Sequence, residues 1–282
     1  MAEGSTAQQI VTLKPSKGWL GLDLAELWRY RELIYFLTWR DIKVRYKQAV
    51  LGIAWAVLQP LVTALVTTFI FERGLKVQTG GPPYPIFMLA AWLPWHLFSN
   101  ALTRSSTSLV QNANLITKVY FPRIIIPLSS ILSAMVDFGI SLLILLGALV
   151  FYKVPLTLNF LWILPLTLVA MLAALAVGLW FSALNVQYRD VQHMVPFIAQ
   201  IWFYLTPVLY PINPTSPLGT TLYNLNPMVG VVNVFRWAIF GESYGYQPPS
   251  SGLLISLGVV LVLLVGGLVY FRRMEKTFAD VV

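Results

Sequence analysis

Long stretches of this chain carry no Asp, Glu, Lys or Arg, and they decide the solvent in which it can fold. Ala49 to Phe71 runs 23 residues without such a charge, Pro82 to Thr103 runs 22, Val154 to Tyr188 runs 35, Val191 to Phe235 runs 45 and Ser243 to Phe271 runs 29. Ile124 to Tyr152 adds 29 residues interrupted only by Asp137. An α-helix needs about 20 apolar residues to cross the hydrocarbon of a bilayer, and each run reaches that length. Membrane strands would be shorter and would alternate, which these runs do not. The expectation is an all-α membrane protein with six transmembrane helices.

Composition agrees. Only 11% of the 282 residues are charged and mean hydropathy is +0.72, whereas soluble domains carry about 25% charged residues. There is no cysteine, so disulfides, thiolate metal sites and thiol nucleophiles are excluded. The first 48 residues are polar and the apolar run after them is too long for a cleaved signal peptide. The first span is expected to act as its own insertion signal.

Basic residues set the orientation. With six spans, the segments on the N-terminal side hold 8, 3, 1 and 3 Lys or Arg, against only Arg73, Lys76, Lys153 and Arg236 on the other side. The positive-inside rule then places both termini in the cytoplasm. The net charge of +8 is read as a topology signal, and nucleic-acid binding is not expected because no basic face accompanies a recognition motif. Three parts follow: a cytoplasmic N-terminal segment over 1–48, a six-helix transmembrane domain over 49–271 and a cytoplasmic tail over 272–282.

Within the first part, residues 1–20 read as a tail, and Asp23 with Glu26 forms a capping-box pattern that starts a helix. Leu27, Tyr30, Ile34, Leu37 and Val44 share one helical face, which reads as an amphipathic helix lying in the membrane interface. Between the second and third spans, Ser106 to Val119 predicts a short helix with Leu109, Ile116 and Val119 as apolar points and Asn112 and Asn114 outward, ended by Phe121-Pro122. Such a helix is a candidate docking knob for a partner. Pro196, Pro207, Pro211, Pro214, Pro217 and Pro227 divide the 45-residue run into a span over about 195–210, a turn over 211–217 and a helical piece from Pro227 to Phe240. That hairpin reads as a re-entrant cap on the exit side.

Asp137 is the one acid inside a span. Ser129, Ser133 and Ser141 repeat with it every four residues, so they share a face. It is either a functional acid or polar glue bonded to Ser133 or Ser141. His96 and His193 lack metal-ligand spacing, and no metal is expected. No phosphate loop, HExxH, GxSxG or GxGxxG turn occurs, so the chain carries no machinery of its own for hydrolysing a nucleotide. Gradient coupling would call for several intramembrane acids and an inverted repeat.

Five stretches, GIAWAVLQPL from Gly52, LPWHLFSNAL from Leu93, NANLITKVYFPRIIIPLS from Asn112, VQYRDVQHMVPFIAQIWFYLTPVLYP from Val186 and NLNPMVGVVNVFRWAIFG from Asn224, together resemble the ABC-2 type permeases, the membrane subunits of ATP-driven exporters of O-antigen and teichoic-acid chains. That family usually carries an acid where Asn233 stands here. The resemblance implies a homodimer of six-span subunits in the bacterial inner membrane, with two separate nucleotide-binding ATPase subunits that hold the ATP and Mg. No cofactor is implied in this chain. It further implies that Asn112 to Arg123 is the coupling element, with Asn112, Asn114, Leu115, Lys118, Tyr120, Phe121 and Arg123 as its candidate residues. The segment Asp23 to Phe36 would lie where substrate is admitted, and the Pro211 to Phe240 hairpin would close the outer side. On that reading Arg29 and Arg31 are candidates for the pyrophosphate of a lipid-linked polysaccharide, and Trp202, Tyr204 and Tyr210 for its sugars. The alternatives are an exporter of a small lipid or drug, a membrane-embedded glycan-modifying enzyme using His96 or His193, and a gradient-driven carrier using Asp137.

Overall fold

A computed structural model describes residues 24–47, 52–211 and 216–278. The expected tail over 1–20, Asp23 of the capping pattern, the centre of the Pro-rich turn and the last four residues lie outside them. Among the described residues there are eleven α-helices and no strand. They are α1 (Leu24–Arg29), α2 (Arg31–Lys47), α3 (Gly52–Thr67), α4 (Tyr84–Gln111), α5 (Ala113–Lys118), α6 (Ile125–Phe151), α7 (Ile163–Gln187), α8 (Val191–Leu205), α9 (Pro217–Asn224), α10 (Pro227–Phe240) and α11 (Ser251–Glu275). A π-helical run, Thr68–Gly74, extends α3, and a 3₁₀ turn, Leu158–Trp162, leads into α7.

Four helical segments among the described residues are long and apolar enough to cross a membrane: Ala54–Gly74, Ile125–Phe151, Leu158–Gln187 and Ser251–Glu275. The other two expected spans differ for physical reasons. At 28 residues, α4 is about 42 Å long, but Pro94, His96, Ser99 and Asn100 dilute its hydropathy. It sits at the centre, packed chiefly against α6 and α7, and Ile86 to Leu93 are buried without a break. The 15-residue α8 contains Pro196 and is only about 22 Å long. It runs from Val191 to Leu205 rather than over about 195–210.

Small residues let α4 and its neighbours approach closely. A Cβ on Gly178 of α7 would lie 2.6 Å from Ser105 Oγ of α4, and one on Gly267 of α11 would lie 2.7 Å from the backbone oxygen of Ala176. Across the α7–α11 seam Trp180 stacks on Tyr270 at 4.9 Å and donates from Nε1 to Leu263 O at 3.1 Å.

The helix from Pro227 to Phe240 forms with the expected bounds. Asn226 Oδ1 accepts from Met228 N at 3.0 Å as its N-cap, and Gly241 ends it at φ 70°. Every residue of α10 except Asn233 is buried, so it is a core element. Arg236 is enclosed with it: Nη2 donates to Val208 O at 2.9 Å and the guanidinium lies 3.7 Å above the Phe87 ring. Tyr84 OH donates to Leu209 O at 2.7 Å, so two side chains latch the turn that follows α8.

A second core closes the opposite end of the bundle. Leu37 of α2 meets Leu109, Ile116, Phe121, Ile124, Ile125, Leu179, Val186 and Phe271 there, with Tyr30 and Ile34 packed against them. The apolar stripe of α2 therefore faces protein, apart from the exposed Val44. Its outer side presents Tyr35, Phe36, Trp39 and Lys43, with Lys43 Nζ 5.5 Å from the Trp39 ring centroid.

Candidate functional site

The four-residue repeat Ser129, Ser133, Asp137 and Ser141 lines one face of α6, and α2 runs along it in the same direction. Thr38 Oγ1 donates to Ser129 O at 3.4 Å near one end of the contact, and Arg45 Nη2 donates to Ser133 Oγ at 3.2 Å further on. This register delivers two cations to one acid. Arg45 Nη1 donates to Asp137 Oδ2 at 2.6 Å, and Arg104 Nη2, from α4, donates to the same oxygen at 2.9 Å. Tyr46 OH donates to Asp137 Oδ1. Burial, then the hydrogen bond to and the field of Asp137, push the Tyr46 hydroxyl up to about 12, so it remains a donor at neutral pH. Ser141 Oγ bonds the backbone oxygen of Asp137 at 2.9 Å instead of its carboxylate.

Arg45, Tyr46, Arg104, Asp137 and Ser141 border an open-sided cavity of about 250 Å³ lined from α2, α3, α4 and α6. From α3 come Trp55 and Gln59, and from α4 come His96, Asn100 and Arg104. Asn100 Nδ2 and His96 Nε2 lie 2.8 Å apart, and His96 stacks on Trp92 at 4.1 Å. Asn100 also borders a second hollow of about 270 Å³, between α4 and α8, with Ser99, Thr103, Gln200 and Phe203. A row of polar side chains, His96, Asn100 and Arg104, thus runs down α4 between two hollows. No group of three or more His, Asp or Glu that could hold a metal occurs among the described residues.

The segment expected to dock a partner divides into two populations. The helix read from Ser106 is two: α4 continues to Gln111, and α5 begins at Ala113. Leu109, Ile116 and Phe121 are buried in the core at that end, whereas Asn114, Lys118, Val119 and Tyr120 are exposed. Leu115 is half-buried. Asn112 Nδ2 donates to Ser108 O at 2.8 Å, and Asn112 Oδ1 accepts from Arg40 Nη2 at 2.8 Å. Arg123 anchors the start of α6 to the end of α11, its backbone N donating to Glu275 Oε1 at 3.1 Å and its Nη1 to Glu275 O.

Arg29 and Arg31 are both exposed, Arg31 lying 5.6 Å from the Trp28 ring centroid. Of the three aromatics singled out on and after α8, Tyr204 is exposed, Trp202 donates from Nε1 to Asn226 Oδ1 at 2.9 Å, and Tyr210 OH donates to Tyr204 O at 2.9 Å. Trp202 packs edge-on to Phe98 at 5.1 Å, so its ring and its N–H are both engaged. In the sequence Arg45 and Arg104 stand out only as basic residues of the cytoplasmic side, and nothing singles out Tyr46. The available signal was the spacing of His96, Asn100 and Arg104, four residues apart like the polar face of α6.

A helical bundle with four segments long and apolar enough to cross a membrane, and with two arginines paired to one acid on α6, has the make-up of a membrane protein. Residues 32–240 match the family described as ABC-2 type transporter, and the chain belongs to that family. It is 30% identical over 251 residues to the O-antigen export system permease protein RfbA of Klebsiella pneumoniae, covering 89% of this chain and 95% of that protein. It is 31% identical over 258 residues to the RfbA of Myxococcus xanthus, covering 90% and 97%. A more distant relative, the polysialic acid transport protein KpsM of Escherichia coli, is 22% identical over 238 residues, covering 84% and 91%.

Proposed function

We propose that this chain is the permease subunit of an ATP-driven exporter that moves a lipid-linked polysaccharide across the bacterial inner membrane, as a homodimer with two separate ATPase subunits. The observation that carries the reading is the near full-length likeness to permeases of O-antigen export. The six-span topology takes the four apolar segments together with α4 and α8. Both termini lie in the cytoplasm, in keeping with the distribution of basic residues. The mixed aromatic and basic outer side of α2 suits the water–lipid boundary, and α9 with α10 closes the outer side.

ATP and Mg bind in the partner. Its contact with this chain is the exposed surface of Asn114, Lys118 and Tyr120, while Asn112, Leu115, Phe121 and Arg123 hold that surface on the bundle. ATP binding and hydrolysis bias two arrangements of the bundle through this contact. Arg29 and Arg31 receive the anionic head of the carrier lipid, and Tyr204, flanked by Trp202 and Tyr210, borders the glycan.

The test is co-expression with a candidate ATPase in a bacterium lacking its own O-antigen permease. Co-purification of the two chains and restored surface glycan are expected. Surface glycan that stays absent although the two chains co-purify would overturn the polysaccharide reading, and failure to co-purify would overturn the exporter.

A further inference from the structure

We propose that the cavity beside Asp137 binds a phosphate-class oxyanion between Arg45 and Arg104, and that Asp137 is the counter-ion the two guanidinium groups give up to it. The cluster is not electrically closed. Two guanidinium groups share a single carboxylate oxygen, Asp137 Oδ2, at 2.6 and 2.9 Å, which leaves one surplus positive charge. The two guanidinium groups, each about a quarter exposed to the cavity side, outnumber the one acid they reach, and among the described residues no second acid reaches either arginine. An arginine carries five N–H donors in a planar fork. Among the described residues Arg104 spends one on Asp137 and meets no other acceptor.

The cavity wall supplies the remaining requirements. Gln59 and Asn100 add amides, and Tyr46 adds a hydroxyl that stays protonated. A tetrahedral oxyanion has enough oxygens to accept from two guanidinium forks and an amide together, which a single carboxylate does not. Asp137 already occupies the place of an anion, so an incoming phosphate replaces a bond of the same kind. The exchange shifts charge without opening an empty site. Arg45 lies on the same helix as Arg31, and 14 residues separate them, about 21 Å along the axis.

The headgroup of a carrier lipid and free phosphate or pyrophosphate share this chemistry. That the source is the transported lipid rests on the exporter reading; the binding itself does not. Full-length chain in phosphatidylcholine nanodiscs is titrated calorimetrically with inorganic pyrophosphate, then with farnesyl diphosphate as competitor. Saturable binding is expected. Arg104→Gln and Arg45→Gln should each weaken it by about tenfold or more, the scale of a charged hydrogen bond, and Arg104→Lys by less. Asp137→Asn should tighten it, because the competing carboxylate is gone, whereas a purely structural Asp137 would leave it equal or weaker.

Displacement by farnesyl diphosphate at lower concentration than by free pyrophosphate assigns the site to a lipid head, and the reverse order assigns it to the free ion. Absence of saturable binding, or binding indifferent to both arginines, overturns the proposal. If the glutamine variants aggregate, Arg104→Lys and Asp137→Asn decide it by their opposite directions. The measurement needs no ATPase, so binding that persists where no ATPase co-purifies retires the exporter reading and keeps the site.

Discussion

Arg40 Nη2 sits 2.8 Å from Asn112 Oδ1, tying the middle of α2 to the residue where α4 ends and α5 begins. Asp41 steadies the same guanidinium at 2.8 Å. One turn further on, α2 places Arg45 against Asp137. One helix, α2, therefore contacts both the α4–α5 junction and the charge cluster, and a displacement of α5 would reach the cluster through it. Arg40→Ala should leave ATP turnover of the assembled complex near wild type while export falls by about tenfold, a usual size for a coupling loss. The ratio of glycan exported to ATP hydrolysed reports it.

Tyr120 and Phe121 are adjacent but should behave oppositely. Tyr120 is 68% exposed and Phe121 is 5% exposed. Tyr120→Ala should change stability by less than about 0.5 kcal/mol while weakening capture of the ATPase subunit. Phe121→Ala should cost about 3–5 kcal/mol by opening a cavity in the core. Thermal unfolding in detergent, run beside a pull-down with the ATPase, separates the two effects.

Gly267 has no room for a methyl group, because the atom it would strike is the Ala176 backbone oxygen, which cannot rotate away. Gly267→Ala should force α7 and α11 apart at a cost of about 1–3 kcal/mol. Gly258, whose Cβ would meet nothing within 4 Å, is the control, and Gly258→Ala should be neutral or slightly stabilising. Unfolding temperatures of the two variants provide the comparison.

Trp202 and Tyr204 divide the labour assigned to the aromatics of α8. Trp202→Phe deletes the N–H bond to Asn226, the N-cap of α10, and should lower stability by about 1 kcal/mol. Tyr204→Ala should leave stability within about 0.5 kcal/mol and reduce glycan export. Equal export by wild type and the Tyr204→Ala protein removes Tyr204 from the pathway.

What was legible in the sequence is what local chemistry dictates. The bounds of α10 follow from Asn226-Pro227 at its start and Gly241 at its end. The polar face of α6 follows from the spacing of Ser129, Ser133, Asp137 and Ser141. The helix α9 falls between the turn expected over 211–217 and the helical piece expected from Pro227, and no element is expected there, although Ser216-Pro217 is a helix-start signal and Ser216 Oγ accepts from Gly219 N at 3.1 Å. Partners of Asp137 were not legible: Arg45 and Arg104 lie 92 and 33 residues away. Only the packing of α2 and α4 on α6 brings them there. Likewise the stripe from Leu27 to Leu37 has the pattern of a lipid-facing helix, and tertiary packing turned it onto Ile116 and Phe121.

The central helix α4 has a consequence for how the molecule is made. In the six-span topology it crosses the bilayer, yet Pro94, His96 and Asn100 weaken its own partition into lipid. Its neighbours α6 and α7 are synthesised after it. On that topology the segment gains most of its packing partners only once those later helices have been made. Truncating the nascent chain before α6 should leave α4 extractable by alkali, and extending synthesis beyond Gln187 should lock it in the membrane.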